Sequence, residues 1–306
     1  FKQKTAYEIM PSLVGSEMCI RDRRLDCSGV ILLRLLILDR RMDCIAIIPA
    51  RFASARFPGK LLASLAGQPL IQHVVESVSR VEGIDATIVA TDDERIAEAA
   101  RECGADVVLS VGEFASGTDR VADAASRYSA DIIVNVQGDE LLLDPAEVTR
   151  ALNCFRGSGT ELGTLRAPLK ERRDFWDPNA VKVVINDNEQ ALYFSRAAVP
   201  FARAEWEASV DMSTGEPNTA WTPKVVDQTS TRGAWLHLGV YFYLSEALRR
   251  WAALPPSRLE KAEGLEQLRV LEAGETIQTY LVNEGMPGVN RRGVLESVRA
   301  VFREHA

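Results

Sequence analysis

The sequence carries little excess positive charge and few cysteines for its length. Its 306 residues include 36 Lys and Arg against 43 Asp and Glu, a formal net charge of −7. This balance argues against a nucleic-acid partner, although a local basic pocket for an anionic ligand remains compatible with it. The five cysteines show no Cys-x-x-Cys spacing and are odd in number, which indicates reduced thiols in a cytoplasmic protein rather than a disulfide framework.

A hydrophobic run long enough to span a membrane is also missing near the amino terminus. The apolar stretch from Val30 to Leu38 has nine residues and is interrupted by Arg34. A membrane-spanning helix needs about 20 apolar residues, so we expect no membrane partner. Residues 1–24 have no usable apolar period, and no small-residue cleavage site follows Leu38. We therefore expect residues 1–41 to be a non-native leader before a true start at Met42.

From Met42 onward, short apolar runs alternate with amphipathic stretches. The runs predict buried strands at 44–48, 86–90, 105–109 and 131–136. The amphipathic stretches between them predict helices at 69–80, 93–103 and 118–128. Repeated alternation of strand and helix predicts a parallel sheet that is covered on both faces.

The pattern changes past Asp144 and Pro145. Further strands are predicted at 162–168, 181–185, 191–194, 236–244 and 276–282, helices at 257–273 and 294–304, and a long surface loop at 204–233. We predict an α/β fold in one domain, 42–306, with a mainly parallel, Rossmann-like sheet and a smaller antiparallel lobe. Residues 42–150 would form the first part and residues from about 160 to 245 the lobe.

A cluster of cations follows the first predicted strand. Arg51, Arg56 and Lys60 lie within ten residues, together with the hydroxyl of Ser54. Ligands bind at the carboxyl ends of strands in open parallel sheets, and a triphosphate needs several cations to offset its charge. The loop is neither a Walker A nor a Gly-x-Gly-x-x-Gly motif. A solvated basic loop is the alternative interpretation.

Carboxylates and hydroxyls follow other predicted strands. Asp139 and Glu140 end the run Val-Asn-Val-Gln-Gly-Asp-Glu, where Asp139 is suited to hold magnesium through a hard oxygen ligand. An ordinary polar turn is the alternative. Thr91 and Asp92 end the second strand. Ser116 begins a Ser-Gly-Thr-Asp segment that helix capping alone would explain.

Eight segments together resemble a known family. In chain order they read IPARFASARFPGK, ATDDERIAEAA, ASGTDR, VNVQGDE, NAVKVV, ALYFSRAAVPF, HLGVYFY and LEQLRVLEAG. Each is similar to a segment of the 3-deoxy-manno-octulosonate (Kdo) cytidylyltransferases, and the resemblance covers 42–306. It implies a nucleotidyltransferase fold. It also implies a magnesium-dependent homodimer that transfers CMP from CTP to Kdo, with release of pyrophosphate, for lipopolysaccharide synthesis.

The resemblance also implies roles for particular residues. Those that would hold the CTP phosphates are Arg51, Ser54, Arg56 and Lys60. Those that would lie near the cytosine and ribose are Thr91, Asp92, Ser116 and Gln137. Those that would bind the sugar are Arg196, His237, Tyr241, Glu266 and Gln267. Asp139 would bind Mg²⁺, and the catalytic set would be Arg51, Arg56, Lys60 and Asp139. Two alternatives stay open: an internal hydrogen-bonding role for His237 and an exposed helix charge for Glu266.

One segment departs from the family pattern. The family has an Asp in a Gly-Val-Asp-Thr-Pro-Glu-Asp segment, where it serves as a second magnesium ligand. This chain has Asn290 at that place, followed by Arg291 and Arg292. Loss of the carboxylate should weaken metal binding. Two alternatives therefore remain: transfer to another acidic sugar, such as amino-Kdo or a sialic acid, or a nucleotide-binding relative with impaired catalysis.

Overall fold

The computed structural model describes residues 41–53, 57–110, 112, 114, 116–141, 144–169, 172–200 and 234–283. Their strands are β1 (Met42–Ala50), β2 (Ser64–Leu65), β3 (Gln68–Pro69), β4 (Ala86–Thr91), β5 (Asp106–Leu109), β6 (Ala130–Val136), β7 (Leu162–Pro168), β8 (Lys182–Ile185), β9 (Ala191–Ser195), β10 (Trp235–Leu244) and β11 (Gln278–Leu281). Their helices are α1 (Leu70–Ser79), α2 (Glu94–Glu102), α3 (Gly117–Ala125), α4 (Pro145–Ser158), α5 (Arg172–Trp176), α6 (Ser245–Ala252), α7 (Arg258–Glu263) and α8 (Leu268–Glu272), with a 3-10 turn at Lys60–Leu62.

The main sheet is mixed. Its strand order is β11–β7–β10–β6–β1–β4–β5. Strand β8 pairs with β10 on one side and with β9 on the other. Strands β6, β1, β4 and β5 pair in parallel. Strand β10 runs antiparallel to β6, β7 and β8, whereas β11 returns parallel to β7. The predicted α/β class is confirmed, and the antiparallel strands continue the same sheet as the parallel ones.

Helices cover both faces of the sheet because its central strand is apolar on both faces. In β1, Cys44, Ala46 and Ile48 pack into one core cluster, whereas Ile45 and Ile47 pack into the other. The first cluster includes buried residues of α1 and α4, and the second includes those of α3 and α6. With both faces of β1 occupied by the core, polar groups that bind a ligand are left to the loop at its carboxyl end.

The single helix predicted over 257–273 is wrong. Helix α7 ends at Glu263 because Gly264 has φ 63°, the left-handed conformation that commonly closes a helix, and its N–H donates to the Glu260 carbonyl at 2.7 Å. Helix α8 begins only at Leu268. The turn between them carries Glu266 and Gln267. A continuous apolar pattern in the sequence hid this break.

The other predicted elements that fall on described residues are present. The predicted strands lie within two residues of those observed, and α1, α2 and α3 match the predicted helices. Helices α4, α5 and α6 have no counterpart in the predictions. The loop at 204–233 and the helix at 294–304 lie outside the described residues, as does the expected leader except for Arg41. Among the described helices, none has the length and apolar content needed to cross a membrane.

Candidate active site

Two adjoining cavities lie at the carboxyl ends of β1 and β6. The smaller, of about 180 Å³, is lined by Pro49, Arg51, Phe114, Ser116, Gly117, Arg120, Gln137 and Glu266. The larger, of about 270 Å³, is lined by Gln137, Asp139, Glu140, Asn179, Val181, Arg196, His237, Gly239, Tyr241, Gly264, Leu265, Glu266 and Gln267. Gln137 and Glu266 line both. Most of the residues predicted for the site therefore meet here, although they are spread over more than 200 positions of the chain.

A third and wider cleft, of about 550 Å³, lies at the opposite edge of the sheet. Its lining includes Arg41, Asp131 and Ser245, at the amino ends of β1 and β6 and the end of β10. None of the predicted site residues lines it. We therefore assign the site to the two smaller cavities, because the chemically relevant side chains converge there.

The loop after β1 is tied to the end of β4. The Phe52 N–H donates to Asp92 Oδ1 at 3.3 Å, and the Arg95 guanidinium lies 4.0 Å from the centre of the Phe52 ring. Arg51, one residue earlier, is exposed and lines the smaller cavity. Two other residues predicted for this loop, Ser54 and Arg56, lie outside the described residues.

Lys60 lines neither cavity but forms an ion pair with Asp139, which lines the larger one. Lys60 Nζ lies 2.5 Å from Asp139 Oδ2, and the two side chains are only 17% and 23% exposed. The sequence predicted a phosphate contact for Lys60 and a magnesium ligand in Asp139. The two residues lie 79 positions apart in the chain. The structure instead brings the two together, so a charged ligand entering here meets a paired cation and anion.

The donor set fits a magnesium ion only in part. In the described part of the chain, no group of three or more His, Cys, Asp or Glu side chains is arranged to hold a metal ion. Magnesium, however, is commonly held by one or two carboxylates together with substrate phosphates and waters. Asp139, half-buried at the edge of the larger cavity, meets that requirement. Asn290, the other predicted ligand, lies outside the described residues.

Glu140 is a site residue that the sequence analysis did not assign. Its carboxylate is buried, and Oε1 accepts a hydrogen bond of 2.6 Å from the Gly239 N–H. Burial, with a smaller contribution from the neighbouring Asp139 charge, raises the pKa of Glu140 to about 8. The Gln137 N–H donates to the Gly239 carbonyl at 2.9 Å. A glycine inside the apolar run HLGVYFY was the available signal, because such glycines often mark a close backbone approach.

Asp92 also pairs with a buried arginine that was not predicted. Arg120 Nη2 donates to Asp92 Oδ2 at 2.9 Å, and the guanidinium lies 4.9 Å from the centre of the Phe114 ring. Arg120 Nη1 is buried without a hydrogen-bond partner among the described residues. Thr91 is fully buried, accepts a hydrogen bond from the Asp93 N–H and lines neither cavity. Of the pair predicted at the end of β4, only Asp92 therefore reaches the loop that borders the site.

The amino terminus of α3 borders both cavities. Ser116 accepts a hydrogen bond from the Asp119 N–H at 3.1 Å and so caps the helix, as its sequence context alone would explain. Glu266 Oε1 accepts from the Gly117 N–H at 3.0 Å. Its Oε2 accepts from the Thr118 N–H at 3.1 Å and from the Thr118 hydroxyl at 2.6 Å. Glu266 is thus neither an exposed helix charge nor a side chain directed only at the larger cavity.

His237 is neutral in this environment. Burial lowers its pKa to about 3. The Thr164 hydroxyl donates to the Val240 carbonyl at 2.8 Å, so His237 Nε2, 3.1 Å away, must be the donor to that hydroxyl. Its Nδ1 is then an acceptor. A neutral acceptor suits a sugar hydroxyl rather than a sugar carboxylate.

Three other predicted residues line the larger cavity. The Arg196 guanidinium donates to the carbonyls of Glu263, Pro178 and Gly264 at 2.7, 2.8 and 3.2 Å, which fixes its position beside the cavity. Gln267 is buried, and its Nε2 has no hydrogen-bond partner among the described residues. The phenol of Tyr241 is also buried, which raises its pKa well above the ordinary value. An oriented cation and an unsatisfied amide donor are groups that an anionic, hydroxyl-rich ligand would satisfy.

Known proteins match this chain over most of its length. The cytidylyltransferase family model matches residues 45–277. The 3-deoxy-manno-octulosonate cytidylyltransferase of Trichlorobacter lovleyi is 44% identical over 76% of this chain and 87% of its own. That of Geobacter sulfurreducens is 42% identical over 82% of this chain and 96% of its own. A solved structure of CMP:2-keto-3-deoxy-manno-octonic acid synthetase with CTP aligns with a TM-score of 0.73 at 34% identity, over 86% of this chain and 100% of that one.

Proposed function

The chain belongs to the family of 3-deoxy-manno-octulosonate cytidylyltransferases, and from this we propose that it transfers CMP from CTP to Kdo with release of pyrophosphate. The observation that carries the proposal is the pair of adjoining cavities. One is lined by Arg51 and the first turn of α3, and the other by Arg196 and Gln267. A reaction that joins a nucleotide to an acidic sugar needs two such compartments that meet where the bond forms.

We assign the nucleotide to the smaller cavity. Arg51 lies at its edge, where a triphosphate would extend towards Lys60. Phosphate oxygens are strong acceptors for guanidinium and ammonium groups, and these cations offset charge that develops as pyrophosphate leaves. Ser116 and Gln137 line the same cavity and provide polar groups for the base and ribose. The family resemblance adds Ser54 and Arg56 to the phosphate contacts.

We assign the sugar to the larger cavity. The Arg196 guanidinium is held in place by three carbonyls, and a cation of fixed position is suited to the Kdo carboxylate. The His237 Nδ1 acceptor and the Gln267 Nε2 donor suit sugar hydroxyls. Arg196 and Gln267 would be equally compatible with other acidic sugars, so competing acceptors belong in the test.

Asp139 is our proposed magnesium ligand. A bound Mg²⁺ would supply positive charge at the transferring phosphate and lower the pKa of a coordinated hydroxyl. Lys60 remains beside that carboxylate and keeps a second positive charge near the leaving phosphates. In the reaction itself the anomeric oxygen of the sugar forms a bond to the α-phosphorus, the bond to the pyrophosphate oxygen breaks, and the hydroxyl proton is released.

We further propose that the protein acts in the cytoplasm as a homodimer. Supporting the dimer, Leu192 on β9 is 58% exposed, and among the named strands of the described residues β9 pairs with β8 alone, apart from one hydrogen bond of its Ala191 N–H to the Ile277 carbonyl. An exposed leucine on an edge strand is a feature that a second subunit commonly covers. Sedimentation of wild type and Leu192→Glu would test this: the wild type should sediment as a dimer, and a monomeric wild type would contradict it.

The function is tested by pyrophosphate release with purified protein, Mg²⁺, CTP and Kdo. We expect release that requires both substrates, falls strongly when UTP, ATP or GTP replaces CTP, and stops on removal of divalent metal by a chelator. Amino-Kdo and a sialic acid serve as competing acceptors. Release with UTP comparable to that with CTP would contradict the proposed nucleotide, and a faster reaction with either competitor would contradict Kdo as the sugar.

A further inference from the structure

Glu266 connects the two cavities through α3. Its two carboxylate oxygens accept three hydrogen bonds from Gly117 and Thr118, at 2.6 to 3.1 Å. Among the described residues, Glu266 and Gln137 line both cavities. The side chain is thus part of the boundary between the compartments, and most of its hydrogen-bonding capacity is directed to the nucleotide side.

These bonds satisfy helix N–H groups that would otherwise have no partner. The first turn of an α-helix leaves its N–H groups without intrahelical acceptors and carries partial positive charge. Ser116 bonds to the Asp119 N–H, whereas the Gly117 and Thr118 N–H groups are bonded by a residue almost 150 positions later in the chain. The amino terminus of α3 is therefore held from outside the helix.

A second contact from the same region of the chain reinforces this hold. Arg269, on α8, lies 3.7 Å from Asp119 and is itself fixed by two hydrogen bonds to Glu260, at 2.6 and 2.8 Å. Helix α8 is thus anchored to α7 and contacts the same turn of α3 that Glu266 caps. Glu266 lies in a short turn that begins at Gly264 and ends where α8 begins. Because no long loop separates these elements, a displacement of Glu266 would also displace the first turn of α3.

Helix α3 carries much of the wall of the smaller cavity. Ser116, Gly117 and Arg120 all line it. Arg120 continues the connection, because it donates to Asp92, which accepts in turn from the Phe52 N–H in the loop after β1. A contiguous series of hydrogen bonds therefore runs from Glu266 through α3 to the residue that follows Arg51.

We propose that Glu266 is a positioning residue for the nucleotide, acting through its hydrogen bonds to the first turn of α3, in addition to any contact with the sugar. The proposal rests on the proposed function, because it assumes that CTP occupies the smaller cavity. A role as a sugar ligand alone would leave CTP affinity unchanged when the sugar is absent. A positioning role makes CTP affinity depend on Glu266 with no sugar present.

The test is the Kd of CTP, measured by calorimetry with Mg²⁺ and without sugar. We expect Glu266→Ala to raise the Kd by about tenfold, the scale of losing a helix cap. Glu266→Gln, which keeps one acceptor oxygen, should fall between wild type and Glu266→Ala. Gln267→Ala is the matched control: it is the next residue of the same turn but lines only the sugar side of this boundary, so it should change the Kd by less than about twofold.

The outcomes separate the alternatives. An unchanged Kd in Glu266→Ala would overturn the proposal, and so would equal effects of Glu266→Gln and Glu266→Ala, since these would indicate charge rather than hydrogen bonds. If Glu266→Ala fails to fold, Thr118→Val removes one of the three bonds from the other side and should raise the Kd by a smaller factor. No effect of Thr118→Val would then overturn it. Failure of the wild type to bind CTP would instead contradict the proposed function.

Discussion

Glu140 holds the backbone of Gly239 so closely that no larger residue fits there. The carboxylate accepts the Gly239 N–H at 2.6 Å, and a Cβ added at Gly239 would lie 2.7 Å from Glu140 Oε1 and 2.8 Å from Gln137 Cγ. The contact joins the turn after β6 to β10 at a register shift between Leu238 and Tyr241. It thereby sets the spacing between Asp139 in that turn and His237 and Tyr241 on β10.

Gly239→Ala should therefore lower both stability and activity. The added methyl has to displace both the Glu140 carboxylate and the Gln137 side chain, and overpacking of this kind costs about 1–3 kcal/mol. Urea unfolding and steady-state kinetics measure the two effects. Gly157→Ala is the control, because a Cβ there meets nothing within 4 Å. If Gly239→Ala and Gly157→Ala had equal stability and equal activity, the close contact of Gly239 with Glu140 and Gln137 would have no energetic consequence.

The Lys60–Asp139 pair should matter more for turnover than for folding. Lys60→Ala removes a cation that would face the leaving phosphates, and we expect a loss of about 10²-fold in kcat, the scale of one transition-state charge contact. Asp139→Asn should raise the magnesium requirement measured by titration. Arg41→Ala removes an exposed pair with Asp131 at the opposite edge of the sheet and should leave the rate unchanged. Near-normal activity of Asp139→Asn in magnesium would contradict the metal assignment.

Asp92 should stabilise the fold as well as the site. Asp92→Asn leaves the Arg120 guanidinium, only 7% exposed, without a charged partner, and an uncompensated buried polar group costs about 1–3 kcal/mol. We expect lower thermal stability together with weaker CTP binding. Glu94→Gln breaks a pair with Arg101 in which both side chains are about half exposed, and it should change stability by less than about 0.5 kcal/mol. If Asp92→Asn lost less thermal stability than Glu94→Gln, the stabilising role of the Asp92–Arg120 pair would be refuted.

His237 should make the fold sensitive to acid. Its pKa is about 3 in the folded protein against an ordinary 6.5, so between these values the unfolded chain binds more protons. The free energy of unfolding should then fall as pH decreases from about 6.5 towards 3, by at most roughly 1.4 kcal/mol per pH unit from this residue. His237→Gln cannot titrate and should lack that part of the decline. If the free energy of unfolding fell equally with pH in wild type and His237→Gln, the His237 ring would not be neutral and buried.

The sequence predicted those parts of the molecule that depend on local pattern. Strands buried on both faces, such as β1, give continuous apolar runs, and loops after parallel strands meet at one edge, so Arg51 and Asp139 could be assigned to one site. Contacts between distant segments could not be predicted in this way. The pairing of Lys60 with Asp139 and the capping of α3 by Glu266 depend on how separate elements pack together.

Residue type alone gave wrong expectations where burial determines the charge state of a side chain. A histidine near an acidic sugar suggests a positive charge, but the surroundings of His237 keep it neutral. Glu140 reads as an ordinary acid in the sequence, yet burial raises its pKa to about 8. The departure at Asn290 is a prediction still to be tested, because that residue lies outside the described part of the chain.

The wall shared by the two cavities has a thermodynamic consequence for the complex that holds both substrates. Because Gln137 and Glu266 line both compartments, any displacement of either residue by one ligand changes the surface offered to the other. Linkage requires the effect to be reciprocal: the factor by which the sugar changes the affinity for the nucleotide equals the factor by which the nucleotide changes the affinity for the sugar. The population of the complex with both substrates bound would then differ, by this common factor, from the population expected for independent binding.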